Sequence, residues 1–156
     1  MCAQLKSDTV QGAKEAVFRL LRVRSRGEKE IRDRLIRKGF SPGNIESVVQ
    51  YFKDIDLIND RQFTQKWIAS RLAKPFGANR IRFELREKGI DDSLVQQELD
   101  QAAKEYSEFE VASELAKRQA AKYRGLETGK MRQRVYAYLC RRGFNYQTVM
   151  KAVRQL

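Results

Sequence analysis

Histidine is absent from this chain of 156 residues, and cysteine, proline and tryptophan are scarce. Without histidine the commonest general base is lost, together with the Ser-His and Cys-His arrangements of nucleophilic enzymes. The two cysteines, Cys2 and Cys140, lie far apart and form no CxxC pair, so the usual zinc sites cannot be built. The sequence therefore argues against an enzyme, and we expect no metal and no other cofactor.

Long apolar runs are also missing. No segment approaches the roughly 18 apolar residues of a membrane span, and the first residues, MCAQLKSD, lack the apolar core of a signal peptide. We expect a cytoplasmic protein without a membrane partner. No segment alternates apolar and polar residues as a β-strand does, which predicts an all-α fold.

The segment GLETGK, residues 125–130, resembles a phosphate-binding P-loop only superficially. A P-loop needs four residues between its glycines, Ser or Thr after the lysine, and a preceding strand. Here three residues separate the glycines and Met131 follows the lysine. Nucleotide binding at this segment is not expected.

What the sequence does contain is one pattern of eight positions that occurs three times. Two aliphatic residues precede a glycine, an apolar and a short polar residue follow it, and three apolar residues come later at spacings of four and three. The three copies are Ile31, Leu35, Gly39, Phe40, Ser41, Ile45, Val49 and Phe52; Ile81, Leu85, Gly89, Ile90, Asp91, Val95, Leu99 and Ala102; and Val135, Leu139, Gly143, Phe144, Asn145, Val149, Val153 and Leu156.

This pattern predicts a helix, a tight turn and a second helix. A left-handed glycine just past a helix end makes a Schellman cap, in which Leu35 contacts Phe40. Ser41, Asp91 and Asn145 then stand where a side-chain oxygen caps the next helix, and the later apolar residues line one face of it. Eight positions in register favour internal repetition over three unrelated hairpins.

Each pattern is preceded by a longer leading helix, so three helices form a unit. Asn59 or Asp60 is expected to cap the leading helix of the second unit, in which Phe63, Trp67, Ile68 and Leu72 face the core. We predict a flexible N-terminus at 1–9 and three-helix repeats at 10–57, 58–105 and 106–156. Units of this size must stack to bury enough apolar area, which predicts three tandem three-helix repeats in an elongated, curved array.

A net charge of +12 points to a polyanionic partner, and residues 106–156 carry 11 basic against 4 acidic residues. A helix-turn-helix suggests a DNA base reader, which contacts bases from the start of its second helix. Those starts carry no Arg or Lys here, so base readout is not expected. The basic residues cluster instead on the leading and middle helices, where they are suited to DNA phosphates; the alternative is an ordinary solvated surface. The candidate contact residues are Arg22, Arg24, Arg26, Arg32, Arg34, Arg37, Lys38, Lys74, Arg80, Arg82, Lys130, Arg132, Arg134, Arg141 and Arg142.

Tyrosines are also frequent in the last third of the chain. Most of them are expected to pack, and one or two to stack on exposed bases. The five are Tyr106, Tyr123, Tyr136, Tyr138 and Tyr146.

Three segments, VRSRGEKEIRDRLIRKGF, DLINDRQF and GANRIRFELREKGI, resemble the RecX family of regulators of the RecA recombinase. The resemblance covers most of the chain and is weaker in the third repeat. One departure is Gly27, where the family often has a serine that opens a capping box.

The resemblance implies three three-helix repeats that bind in the groove of the RecA filament, and no active site. It implies a role in DNA repair, homologous recombination and the SOS response, mainly by inhibiting strand exchange and the ATPase and co-protease activities of RecA. The implied partners are the RecA filament and the backbone of single- and double-stranded DNA. From the charge distribution we expect the arginines of the leading and middle helices to contact DNA phosphates, and other faces, including the acidic last helix of the second repeat, to contact the protein subunits. We expect a monomer. The alternative is a general basic nucleic-acid-binding helical protein without a recombinase partner.

Overall fold

The computed structural model describes residues 8–156, which contain nine α-helices and no β-strand. The helices are α1 (Val10–Val23), α2 (Glu28–Arg37), α3 (Pro42–Asp54), α4 (Asp60–Leu72), α5 (Ala78–Glu87), α6 (Asp92–Ala102), α7 (Glu108–Ala121), α8 (Thr128–Arg141) and α9 (Tyr146–Arg154). The all-α prediction, with three helices in each of three repeats, is confirmed. Of the expected flexible N-terminus, residues 1–7 lie outside the described range, as does Cys2.

The turn glycines adopt the predicted left-handed conformation. Gly39, Gly89 and Gly143 have φ angles of +84°, +75° and +83°. In the first repeat Phe40 N donates to Leu35 O at 3.3 Å, which is the long hydrogen bond of a Schellman motif. The same bond recurs at 3.3 Å from Phe144 N to Leu139 O in the third repeat.

Side-chain caps open most of the helices that were predicted to have one. Asp91 Oδ1 accepts from Ser93 N and Leu94 N, Asn145 Oδ1 accepts from Thr148 N at 2.8 Å, and Asn59 Oδ1 accepts from Gln62 N at 2.9 Å. The prediction for Ser41 was wrong, because its hydroxyl makes no cap bond. Its backbone amide donates instead to the carboxylate of Asp8 at 3.0 Å. A residue outside the pattern therefore binds the backbone at the start of α3.

The apolar positions of the pattern form the cores. Ile31, Leu35, Val49 and Phe52 are fully buried in the first repeat, and Ile81, Leu85, Val135 and Leu139 are fully buried in the others. Near the end of the second and third copies the burial is less complete, because Ala102, Val153 and Leu156 are only half-buried. In α9 the neighbouring Ala152 is buried in place of Val153.

The chain divides into two compact units. The first comprises residues 8–64 and Lys88–Ile90, and in it α1, α2 and α3 pack against one another. The second comprises Gln65–Glu87 and Asp91–Leu156; here α5 packs on α6, while α7, α8 and α9 surround a separate core.

Acidic residues from the following repeat cap two of the middle helices. Glu28 N, at the start of α2, donates to Asp60 Oδ1 at 2.8 Å, and Ala78 N, at the start of α5, donates to Glu108 Oε1 at 2.9 Å. Both acids are the first residue of a leading helix. Gly27 supplies no side-chain cap of its own. The cap of α2 comes instead from an acid 32 residues further along the chain than the amide it binds.

Candidate nucleic-acid and partner interface

The fifteen basic residues predicted to contact DNA or a filament lie on leading and middle helices or in the loops beside them. Seven belong to the first unit and eight to the second. On α1, α2 and the loops beside them are Arg22, Arg24, Arg26, Arg32, Arg34, Arg37 and Lys38. On α5, α8 and the loops of the second unit are Lys74, Arg80, Arg82, Lys130, Arg132, Arg134, Arg141 and Arg142.

In the first unit, Glu30 gathers three of these arginines. Its Oε1 lies 2.7 Å from Arg24 Nη2 and 3.3 Å from Arg34 Nε, and it also accepts from Arg26. Burial alone would raise the pKa of Glu30, but the positive charges of Arg26 and Arg24 and their hydrogen bonds outweigh it and lower the pKa. The charge of this arginine group is therefore partly compensated within the protein.

Arg26 differs from the other fourteen because its side chain is only 6% exposed. Its Nε donates to Leu20 O at 3.2 Å, and its guanidinium also bonds to Glu30. These bonds hold the connection between α1 and α2 together. We therefore leave Arg26 out of the contact surface and assign it a structural role.

Arg32 is likewise occupied by acidic neighbours. Its Nε lies 2.8 Å from Glu28 Oε1 and its Nη1 lies 2.8 Å from Glu46 Oε2, while Lys53 shares Glu28 at 2.9 Å. In contrast, Arg22, Arg37 and Lys38 are exposed and form no ion pair with an acidic side chain among residues 8–156. These three carry the uncompensated charge of the first unit's candidates.

The candidates of the second unit have few acidic partners. Arg80 pairs with Glu84 at 3.1 Å. Within residues 8–156, Arg82 bonds only to the neutral side chains of Asn79, at 3.0 Å, and Gln96, at 2.8 Å. A neutral partner orients a guanidinium without cancelling its charge.

Two arginines of the second unit lie over aromatic rings. Arg134 Cζ is 5.3 Å from the ring centre of Tyr123. Arg142 Cζ is 5.3 Å from the centre of Tyr138 and 5.1 Å from that of Phe76. Cation–π contacts of this kind hold a guanidinium in place and leave its positive charge intact.

Four further candidates, Lys74, Lys130, Arg132 and Arg141, are exposed and unpaired. None of them has an acidic side chain within ion-pair distance in the described part of the chain. The third repeat supplies three of the four. Its excess of basic residues is thus available to a partner, whereas much of that of the first repeat is used internally.

The acids of α6 are mostly engaged. Asp91 caps the helix, and Asp92 accepts two hydrogen bonds from Arg86, at 3.1 and 2.9 Å. Glu98 is buried and accepts from Gln65 at 2.8 Å. The negative face predicted for this helix is therefore smaller than its composition suggests.

Among the exposed aromatic residues that the sequence analysis did not consider, which also include Phe18 and Tyr51, Phe83 is the most exposed. Phe83 on α5 is 62% exposed, although Ile81 and Leu85 beside it are fully buried. The signal was an aromatic residue two positions from each buried one, hence on the opposite side of the helix. Of the tyrosines considered for stacking, only Tyr146 is exposed, at 65%, and the other four are half-buried.

Residues 8–156 include no cluster of three or more side chains suited to a metal ion. Trp67 is half-buried, with its Nε1 donating to Glu84 Oε2 at 3.0 Å. Within the same described range, no helix is both long and apolar enough to cross a bilayer.

These features define a helical-repeat protein of three three-helix domains whose third repeat carries unpaired basic residues. Models of the first, second and third three-helix domains of RecX match residues 13–52, 59–99 and 105–153. The chain belongs to the RecX family.

The sequences of individual relatives are similar to this one along nearly the whole chain. "Regulatory protein RecX" of Clostridium perfringens (strain SM101 / Type A) is 28% identical, over 97% of this chain and 72% of its own length. "Regulatory protein RecX" of Prosthecochloris aestuarii is 30% identical, over 96% of both chains. A crystal structure of RecX from Lactobacillus salivarius matches with a TM-score of 0.85 at 22% identity, covering 94% of this chain and 96% of that one. This last similarity concerns the fold.

Proposed function

We propose that this protein regulates the RecA recombinase by binding the RecA-DNA filament, mainly as an inhibitor of strand exchange and of RecA ATPase and co-protease activity. Membership of the RecX family, and relatives that are named regulatory proteins, support a regulatory role. RecA as the partner is what the family resemblance implies. The proposal requires no catalysis by the protein itself.

The observation that carries the DNA part of the proposal is the unpaired charge of α8 and of Arg142, which directly follows it. Arg132 and Arg141 have no acidic partner among the described residues, and Arg134 and Arg142 are held over aromatic rings. Neutralising phosphates releases condensed counterions, which favours binding of such a surface to nucleic acid. Backbone contacts position a protein without reading sequence, in keeping with second helices that lack Arg and Lys at their starts.

A test of the RecA part compares RecA ATPase and strand exchange with and without this protein, at amounts well below one molecule per DNA site. We expect suppression at these low ratios, because a few molecules acting on a filament affect many RecA subunits. Suppression only near DNA saturation would contradict a filament mechanism. That outcome would support the alternative, a general nucleic-acid-binding protein, which the net charge of +12 favours by itself.

The surface is tested by reversing Arg132, Arg134, Arg141 and Arg142 together to glutamate. Filament binding should weaken, and the slope of log K against log salt should fall by up to about 3 to 4, since each lost phosphate contact removes about 0.9 on duplex DNA. The matched control reverses four exposed residues outside the proposed surface, which are Arg19, Lys66, Lys104 and Arg154. Both variants change the net charge equally, so an equal loss in both would contradict a localised surface.

A further inference from the structure

Phe83 lies at the edge of an open cleft in the second unit. The cleft has a volume of about 500 Å³ and is formed by α5 together with the end of α8 and the turn that follows it. Besides Phe83, its walls include Asn79, Arg80, Glu84, Cys140 and Arg141. Phe83 is the one large, well-exposed apolar side chain among these residues, and Arg80, Glu84 and Arg141 beside it are charged.

Two of the three charged residues that line this cleft, Arg80 and Arg141, are basic. Glu84 is its acidic residue, and its carboxylate accepts from Arg80 at 3.1 Å, Arg71 at 2.5 Å and Trp67 at 3.0 Å. Burial alone would raise the pKa of Glu84, but these hydrogen bonds and the charge of Arg71 outweigh it and lower the pKa. Glu84 is thus engaged by its own neighbours, while Arg141, which also lines the cleft, has no acidic partner among residues 8–156.

The face of Phe83 is unoccupied, unlike that of the nearest aromatic residue in the chain. The ring of Phe76 carries Arg80 at 4.3 Å and Arg142 at 5.1 Å from its centre. Phe83 has no ring or cation stacked on it among the described residues. It is therefore a free flat surface in a cleft that Arg80 and Arg141 also line.

We propose that Phe83 stacks on an unpaired base of single-stranded nucleic acid while Arg141 and Arg80 hold the adjoining phosphates. An aromatic platform beside cations is the combination used to bind single strands without sequence preference, because every base has a flat face and every nucleotide a phosphate. This inference deepens the proposed function, on which it rests for the nucleic-acid partner. It identifies which part of the basic surface receives a single strand.

The surroundings of Phe83 favour a strand over a protein partner. A protein interface is centred on a patch of several apolar residues that are desolvated together, with polar groups at its rim. This cleft has a single large exposed apolar side chain, with the charged residues Arg80, Glu84 and Arg141 beside it. Duplex DNA, in turn, offers phosphates but keeps its bases stacked inside the helix, so it gives Phe83 no face to contact.

The experiment measures binding of the full chain, without RecA, to a short fluorescent poly(dT) strand, to an abasic strand of equal length and to a duplex. Stacking on one base contributes enough that Phe83→Ala should weaken poly(dT) binding about 5- to 150-fold. Phe83→Leu, which keeps apolar bulk but has no ring, should behave like Phe83→Ala, while Phe83→Tyr should bind like the wild type. All three variants should weaken binding to the abasic strand and the duplex less than twofold.

Ile36→Ala is the matched control, since Ile36 is 61% exposed on the middle helix of the first repeat. It should leave every affinity unchanged. Arg141→Ala should lower the salt slope on poly(dT) by about 0.7, whereas Phe83→Ala should leave that slope unaltered.

Equal loss on poly(dT) and on the abasic strand would overturn the stacking proposal. So would unchanged DNA binding combined with loss of RecA inhibition by Phe83→Ala, which would assign this cleft to the protein partner. These outcomes are separate from failure of the proposed function, which is measured by the effect of the wild-type protein on RecA ATPase.

Discussion

The cap that Asp60 provides to α2 can be removed without disturbing the core. Asp60→Ala leaves the amide of Glu28 without its acceptor at 2.8 Å. Loss of a helix cap costs about 1 kcal/mol, with a range of about 0.5 to 2, and an unsatisfied, partly buried amide falls in the same range. For a chain of this length, a loss of about 1 to 2 kcal/mol lowers Tm by about 2 to 8 °C.

Asp60→Asn separates the role of the acceptor from that of the charge. Burial raises the pKa of Asp60, and the hydrogen bond from Glu28 N offsets this only in part. Because the pKa is higher in the folded than in the unfolded state, the charged form is disfavoured by folding, and its contribution to stability declines as pH rises past the ordinary value of 3.8. Asparagine keeps an acceptor oxygen and avoids this cost, so Asp60→Asn should retain most of the stability at neutral pH.

The assay is thermal and urea unfolding at pH 7, followed by circular dichroism at 222 nm. Asp33→Ala serves as the control, because Asp33 is an exposed acid of α2 whose carboxylate makes no hydrogen bond or ion pair in the described structure. An Asp60→Ala protein as stable as the wild type would refute the cap. An Asp60→Asn protein as unstable as Asp60→Ala would show that the charge, and not the acceptor, stabilises the helix start.

Two further predictions concern pH and the turn glycines. Burial tends to raise the pKa values of Glu30 and Glu84, but their arginine partners lower these pKa values overall. The stability that the two carboxylates add is therefore present above their ordinary pKa of 4.5 and is lost as pH falls through the lowered pKa values. Tm measured from pH 6 to pH 3 should fall, and a flat profile would contradict this. Gly143→Ala should destabilise by several kcal/mol, because its φ is +83° and a Cβ would lie 2.3 Å from Arg80 Cβ. Gly39 has a similar φ of +84°, but a Cβ there would have no atom within 4 Å, so Gly39→Ala should cost only about 1 to 2 kcal/mol. Equal losses of unfolding free energy for the two variants in urea would contradict the close packing at Gly143.

Local chemistry was predictable from the sequence, and contacts between distant segments were not. The Schellman turn at Gly39 depends on residues within five positions, as does the cap by Asn145, and both were predicted. The cap of α2 comes from Asp60, 32 residues away, and no periodicity indicates such a pair. The burial of Arg26 is a similar case, because the basic segment of the sequence does not indicate which of its arginine side chains is buried.

The candidate surface was predicted from the sequence only through the number of basic residues in each part of the chain. A count of basic residues in each third indicated where charge is in excess, but not which charges are already paired. The structure supplies that distinction, because ion-pair distances separate Arg24 and Arg32 from Arg132 and Arg141. Phe83 was missed for a related reason. The pattern of buried residues was used to identify the core, and aromatic residues outside that pattern were not examined for exposure.

The three repeats share one pattern, so the origin of the unpaired charge can be located by comparing equivalent positions. Counted back from the turn glycine, Glu30 of α2 corresponds to Arg134 of α8, and Glu28 corresponds to Arg132. In the first repeat these two positions hold the carboxylates that pair with the surrounding arginines and Lys53. In the third repeat the same two positions hold arginines, so acceptors are replaced by donors on a helix of the same type.

At the C-terminal ends of α2 and α8, two basic residues directly precede the turn glycine. They are Arg37 and Lys38 in the first repeat, and Arg141 and Arg142 in the third. The difference between a helix that neutralises its own charge and one that presents it therefore lies in two positions per repeat. Since these positions lie outside the buried pattern, they can change sign without altering the fold. A family built on this repeat can thus redistribute its basic surface among the three domains while each domain keeps the same core.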